Sequence, residues 1–236
     1  MNKFTDFHIH ILPGIDDGAA DVEVSLKMLQ LLKEQDVNNI VATPHFYFNK
    51  QNVESFMEKR AAAYNLLKEK YDGEAKFVLG AEVYYCSGIN MIEDFEDLTL
   101  GNSNYIMLEL PYADKIDKDI LTEIEKIMAE TGLTVVFAHI ERFFSKMTFT
   151  AKRKLSKMDA IFQINLPSLL HEDRVPEIIK FIKKNNNIIL GSDSHNLDSR
   201  SPLNYQKGIQ ILADNLTAKD LDRIITDTNK FFDEIY

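Results

Sequence analysis

The stretch that decides the fold is Phe4 to Gly18, FTDFHIHILPGIDDG. Apolar residues alternate from Phe4 to Ile11 with the period of a strand. Side chains two apart share a face, so His8 and His10 point the same way. Pro13 and Gly14 then turn the chain, and the acidic pair Asp16 and Asp17 follows on the loop. Two imidazoles on one face of a rigid strand, with carboxylates just beyond, form half a metal site. The other half has to come from elsewhere in the chain.

Outward from this stretch, strand-like runs alternate with helical patterns. Further strands are expected at Asn38–His45, Lys76–Glu82, Asn104–Leu110, near Leu133–His139, at Ala160–Asn165 and at Asn187–Asp193. Helices are expected at Val22–Gln35, capped by Asp21, and at Val53–Tyr71, Asp119–Thr131, Lys152–Met158, Val175–Asn185, Leu203–Asn215 and Leu221–Phe232. The first helix should turn Val24, Met28, Leu31 and Leu32 inward, and the second Phe56, Ala63, Leu66 and Leu67. Seven strands alternating with helices imply a parallel sheet. A closed β/α barrel and an open doubly wound sheet both satisfy this pattern. The glycine-rich dinucleotide fingerprint after the first strand is absent, which counts against a Rossmann domain. No linker divides the chain, so residues 1–236 are read as one domain.

The net charge of −10 argues against a general nucleic-acid binder, which needs a basic face. A single cysteine, Cys86, leaves no internal disulfide and suits a reducing compartment. No basic leader followed by a long apolar stretch opens the chain, and no run reaches the length of a membrane span. A cytoplasmic protein is expected, without direct membrane insertion.

The polar residues at the strand ends supply the missing half of the site. His8 and His10 come from the first strand with Asp17 on its loop, His45 from the second, Glu82 from the third, Glu109 from the fourth and His139 from the fifth. Asp193 and His195 come from the seventh, whereas the sixth offers only Gln163 and Asn165. In a parallel barrel these ends converge on one face. Taken singly, a strand histidine is usually a hydrogen-bonded core residue, and Asp17 could cap the following helix. Together they place five of the six histidines at one end, with carboxylates ending apolar runs where burial is costly unless they are paired or metal-bound. His171, in SLLHED, is read as a surface or capping residue. Mixed imidazole and carboxylate donors suit zinc, manganese or iron, and they are too many for one ion. Two or three divalent ions would activate a water and clamp a phosphoryl group, leaving the site positive within an acidic chain. Arg142 and Arg200, on the same loops, have the shape for phosphate.

HIHILPGIDDGA, ATPHF, GAEVYY, LELP, AHIER and SDSHN, in that order from His8 to Arg200, resemble the polymerase and histidinol phosphatase (PHP) superfamily. Within it they look like the capsule-type bacterial protein-tyrosine phosphatases. The resemblance implies a distorted seven-stranded parallel β/α barrel, TIM-like and of PHP type, holding three divalent metal ions, most often Mn2+, with Fe or Zn as alternatives. By motif position His8, His10, Glu82 and Asp193 would surround one ion. Glu82 would bridge to a second held by Glu109 and His139, and Asp17, His45 and His195 would hold the third, with Asp16 able to trade roles with Asp17. Arg142 and Arg200 match substrate-phosphate positions. The implied reaction is hydrolysis of phosphotyrosine without a phosphocysteine, since Cys86 lacks the C-x5-R phosphate loop. The implied substrate is the tyrosine-rich tail of a bacterial tyrosine kinase controlling capsular or exopolysaccharide synthesis. Phe46, Tyr47, Tyr84, Tyr85, Tyr112 and Phe143 are candidates to receive the ring. The rival readings are a histidinol-phosphate or other small phosphomonoester phosphatase, and a non-catalytic metal-binding regulatory domain. Oligomeric state, a homo-oligomer included, is left open by the sequence.

Overall fold

A computed structural model describes residues 4–236, so the first three residues of the expected domain lie outside the described residues. All strand pairs are parallel. Strands β1 (Phe4–Ile9), β2 (Val37–Ala42) and β4 (Lys76–Leu79) form one ladder in the order β1-β2-β4. Strands β3 (His45–Phe46), β5 (Glu82–Tyr84), β6 (Tyr105–Glu109), β7 (Thr134–Phe137), β8 (Ile161–Asn165) and β9 (Ile188–Gly191) form the other, in that order.

The two ladders arise from seven strand positions, because two expected strands are interrupted. Thr43-Pro44 separates β2 from β3, and Pro44 has no N–H to give to a ladder. Gly80-Ala81 separates β4 from β5. The wall stays hydrogen-bonded across both breaks: Gly80 N–H donates to Ala42 O (2.9 Å) and Glu82 N–H to Pro44 O (3.0 Å). At the other side β9 meets β1. Asp193 N–H donates to His8 O (2.6 Å), His10 N–H donates to Ser194 O (3.0 Å), and Ile9 bridges Ser194 in parallel. The strand positions therefore run round a distorted barrel.

Helices α1 (Val22–Lys33), α2 (Val53–Lys70), α3 (Lys118–Thr131), α4 (Phe149–Leu155), α5 (Val175–Ile182), α6 (Tyr205–Asn215) and α7 (Ala218–Ile235) follow the expected order with shifted ends. Asp21 caps α1 as expected, accepting from Val24 N–H at 2.9 Å. Asn52 caps α2, Asp117 α3, Thr148 α4 and Thr217 α7 in the same way. Two expected faces need correction. On α1, Leu29 is buried and Leu31 only half-buried. On α2, Leu66 is 45% exposed and Arg60 is buried instead. The Arg60 guanidinium donates to Gly80 O (2.8 Å), satisfying a carbonyl freed by the break between β4 and β5.

Beneath the strand ends lies a packed layer. Phe7, Val41, Val78, Met107, Val136 and Ile189 each come shortly before a candidate ligand in the chain and pack in one cluster. That position marks them as the barrel interior, one layer below the site. A register shift in β1 between Asp6 and Ile9 lets Phe7 join this layer although His8, its neighbour, serves the site. Helix α7 plugs the end away from the site with Phe231, Phe232 and Ile235. Phe231 stacks on Phe7 (5.0 Å between centroids) and meets Tyr105 edge-on (4.5 Å). Phe231→Ala should therefore lower unfolding stability by about 3–5 kcal/mol, read as a shifted urea midpoint at unchanged slope.

Candidate metal centre

His8 and His10 leave β1 beside each other. His45 opens β3 and Glu82 opens β5, and the parallel register sets these two side by side. Glu109 closes β6, and His139 lies two residues beyond β7. Asp193 and His195 lie beyond β9, and Asp17 reaches in from the loop after β1. The nine expected ligands, together with Arg142 and Arg200, thus meet at the C-terminal ends of the strands.

Three sets of donor atoms come within 4.8 Å of one another: His8, His10, Glu82 and Asp193; His10, Asp17, His45 and His195; and His45, Glu82 and Glu109. The first is the expected quartet. The second contains the expected trio and adds His10. The third has His45 where His139 was expected. His139 stands against the same pair, its Nε2 2.7 Å from Glu82 Oε1 and 3.4 Å from Glu109 Oε1. His171 lies outside the cluster and is exposed, as expected.

The spacing of the first quartet tests whether a cation fits. His8 Nε2 lies 3.2 Å from His10 Nε2, 3.2 Å from Glu82 Oε2 and 3.5 Å from Asp193 Oδ1. His10 Nε2 lies 3.2 Å from the same glutamate oxygen and 3.3 Å from the same aspartate oxygen. A tetrahedral ion with bonds of about 2.0–2.1 Å needs ligand–ligand edges of about 3.3–3.4 Å. Glu82 Oε2 and Asp193 Oδ1 are buried and, among the described residues, have no hydrogen bond. The donor set fits divalent ions.

Hydrogen bonds outside the cluster fix the imidazole tautomers. Gln163 Oε1 accepts from the backbone N–H of His139 (2.7 Å), which can only donate. That orients the amide, so the 3.0 Å contact with His8 Nδ1 is a bond donated by His8, and His8 Nε2 is left with its lone pair facing the cluster. Asp16 Oδ2 lies 2.7 Å from His10 Nδ1, and the Asp193 carbonyl 3.0 Å from His195 Nδ1. Each acceptor likewise turns Nε2 inward. Asp16 also accepts from the His45 and Gly18 N–H groups (2.9 Å each). Its carboxylate is thereby spent on support. Asp17, with its side chain 65% exposed, turns Oδ1 toward the His45 and His195 Nε2 atoms at 3.4 and 3.5 Å, with Oδ2 3.8 Å from Arg200 Nη1.

This supporting layer was not anticipated from the sequence. Gln163 Nε2 donates on to Asn165 Oδ1 (2.8 Å), and Asn165 Nδ2 to Asp193 Oδ2 (3.1 Å), so β8 orients candidate ligands carried by other strands. Asp6 accepts from Ser192 N–H and Oγ–H at the base of the Asp193 loop. Two glycines allow the crowding. A Cβ on Gly191 would lie 2.7 Å from Gln163 Nε2 and 2.8 Å from His8 Cβ, and one on Gly18 2.3 Å from His10 O. His139 (φ 31°) and Asp193 (φ 52°) are left-handed without being glycine, a strain of about 1–3 kcal/mol each that clusters at functional sites.

Electrostatically the cluster is a balance of opposed burials. Burial pushes against ionisation of Glu82 and Asp193, yet the neighbouring imidazoles hold both carboxyls well below their usual range. Burial, with Glu82 close by, raises Glu109 to about 7. Burial lowers His139 to about 4. Both guanidiniums converge on Asp193 Oδ2: Arg142 bonds it directly, and Arg200 donates at 2.8 Å. Of the candidate aromatics, Phe46, Tyr85 and Phe143 are buried and cannot receive a substrate ring. Tyr47 is half-buried beside His45, with the half-buried Tyr84 against it, and Tyr112 is 59% exposed over Phe143. Cys86 makes no part of the cluster, and burial, aided by Glu123, raises its thiol.

A parallel barrel with metal-binding clusters at its mouth defines the class. The chain belongs to the family described as capsular polysaccharide synthesis, CpsB/CapC, whose model matches residues 4–231. It is 31% identical to the tyrosine-protein phosphatase CpsB of Streptococcus pneumoniae, over 94% of this chain and 95% of that protein. Its fold matches a crystal structure from a study of YwqE of Bacillus subtilis and CpsB of Streptococcus pneumoniae, described as unique metal-dependent tyrosine phosphatases. The TM-score is 0.77 at 21% identity, over 98% of this chain and 95% of the other. A histidinol phosphate phosphatase of Lactococcus lactis, crystallised with zinc, L-histidinol and phosphate, matches with a TM-score of 0.57 at 15% identity, over 90% and 94%.

The different partners of the two adjacent acids give a direct test. Asp17→Ala should remove a donor and lower metal content at one site. Asp16→Asn should leave the stoichiometry and weaken affinity about 10–100-fold, as for a lost supporting carboxylate. Metal analysis after dialysis, with titration calorimetry, separates the two outcomes.

Proposed function

We propose that this chain is a metal-dependent protein-tyrosine phosphatase. The observation that carries the reading is the quartet of His8, His10, Glu82 and Asp193, with its cation-sized spacing and two guanidiniums at its edge. The curated relatives named tyrosine-protein phosphatases support it. We infer three divalent ions, most readily Mn2+, one for each donor set, with Glu82 shared between two sets and His139 supporting the Glu82–Glu109 pair. Asp17, His45 and His195 would hold the outermost ion. Bound divalent ions would supply Lewis acidity toward phosphoryl oxygens and make a water nucleophilic near neutral pH.

The chain's own residues do the rest. Arg142 and Arg200 each spend donors on Asp193 and keep others for the phosphate oxygens, whose charge spreads during transfer. Gln163, Asp16 and the Asp193 carbonyl keep the imidazoles in the ligating tautomer. Tyr47, Tyr84 and Tyr112 border the mouth where a phenyl ring would lie. A phenolate leaves readily enough that no strong general acid is required. The raised thiol of Cys86 argues against a phosphocysteine route.

The preferred substrate on this reading is a phosphotyrosine protein, the tyrosine-rich tail of a bacterial tyrosine kinase in capsule or exopolysaccharide synthesis. The family description supports that context. A cytoplasmic location and a single catalytic domain over residues 1–236 belong to the same proposal. Among the described residues no helix is long and apolar enough to cross a membrane.

Assays with a phosphotyrosine peptide, a phosphoserine peptide and histidinol phosphate, before and after chelation, test the reading. Turnover of the phosphotyrosine peptide should dominate, vanish on chelation and return with Mn2+. Exclusive turnover of histidinol phosphate would transfer the chain to the small-substrate phosphatases, and absence of all turnover to the non-catalytic reading. His139→Ala and Asp193→Ala should lose at least about 10²-fold in kcat while remaining folded, and Cys86→Ser should lose nothing.

A further inference from the structure

The chain is acidic overall, but its charge is unevenly placed. Between Arg142 and Lys184 it carries ten Lys/Arg against four Asp/Glu, in a protein whose net charge is −10. This basic stretch holds α4 and α5, and a groove of about 770 Å³ runs between them. Its floor is apolar, with Phe144, Met147, Phe149 and Phe181. Its rim carries Lys152, Arg153, Lys180 and Lys184, and among the described lining residues Glu177 is the one acid. Glu177 is already taken by Lys152 at 2.8 Å, so the charge on Arg153, Lys180 and Lys184 is not cancelled within the rim. Phe149, at the start of α4, is 81% exposed.

The groove and the metal centre share one short segment. His139 and Arg142 face the site. Phe143 packs on the His139 ring (5.9 Å), and Phe144 turns the other way onto Phe181 in the groove floor (4.8 Å). A polypeptide whose reacting residue enters the barrel mouth could thus continue over the segment into the groove.

We propose that the α4–α5 groove docks an acidic, aromatic-bearing segment of the phosphoprotein substrate, flanking the phosphotyrosine. The proposal rests on the phosphatase reading and adds to it a second recognition surface. Carboxylates of the segment would meet Arg153, Lys180 and Lys184, and an apolar side chain would sit on Phe144, Phe149 and Phe181. Such charge complementarity selects partners and speeds encounter more than it alters chemistry. A concave apolar floor suits an inserted side chain better than a flat lipid surface does.

Arg153→Glu/Lys180→Glu/Lys184→Glu is compared with the unaltered protein, after circular dichroism confirms folding. Lys184→Glu alone is the milder substitute should the triple variant fail to fold. The binding probe is a fluorescein-labelled acidic peptide containing Phe and unphosphorylated Tyr, read by anisotropy beside a peptide with Ser in place of each acid. The acidic peptide should bind better than the neutral one, and the triple reversal should weaken it about tenfold. For phosphotyrosine versions, KM of the acidic peptide should rise by a similar factor at constant kcat, with p-nitrophenyl phosphate turnover unchanged. Equal binding of both peptides, or binding indifferent to the reversal, overturns the proposal. Loss of self-association on reversal, seen by sedimentation, would reassign the groove to a second copy. Loss of co-sedimentation with phosphatidylserine vesicles but not of peptide selectivity would reassign it to lipid, and either result overturns peptide docking. Failure to hydrolyse any aryl phosphate would sink the phosphatase reading, whereas the anisotropy measurement judges peptide docking in the groove without catalysis.

Discussion

The constraint on which the rest of the structure depends is electrostatic. Three overlapping sets of carboxylate and imidazole donors lie at the mouth of the barrel, most of them buried. Carboxylates out of water must be neutralised, bonded or paired with a cation, and among the described residues Glu82 Oε2 and Asp193 Oδ1 have no hydrogen-bond partner. The surrounding chain serves this arrangement. Gln163 and Asp16 turn lone pairs inward, two strained residues aim strand ends at the centre, and Gly18 and Gly191 remove side chains that would keep the donors apart.

The topology answers the same demand. An unbroken parallel wall would carry the ladder straight past Thr43-Pro44 and Gly80-Ala81. The interruptions instead start two short strands in register at the mouth, so that His45 and Glu82 emerge opposite each other. The cost is backbone groups that lose ladder partners. One of them, Gly80 O, is met by a buried arginine from α2. What looks in the ladder like a defect thus positions two candidate ligands.

Much of this was legible in the sequence because the signals are local. The alternation from Phe4 to Ile11 shows that His8 and His10 share a face, and Asp21 announces the start of α1. The convergence of the imidazoles and carboxylates that end apolar runs was legible as well, since a buried charge is conspicuous in such a context. The supporting layer did not. Gln163 sits mid-strand with nothing in its neighbourhood to mark it, and its role exists only once β8 lies beside both His8 and His139. The choice between Asp16 and Asp17 depended on which one the loop turns toward the His10 ring. Arg60 reads as one more charge on an amphipathic helix until the carbonyl it satisfies is known. The register shift that sends Phe7 inward beside His8 has no local signature either. The glycines of DDG and ILGSD were the available hint, because a strand-end glycine often marks close approach.

The plug formed by α7 carries a consequence for how the two ends of the barrel communicate. Phe231 and Phe232 pack against the layer of strand residues that lies beneath His8, and the donors above that layer share the same closed ring of strands. By mass action, ions that bind only the folded ring stabilise every contact that closes it, those of the distant helix included. Conversely, loosening the helix spends part of the ion-binding free energy on reclosing the ring. Metal affinity and C-terminal packing are then two readings of one equilibrium, with the strand layer between them as the link.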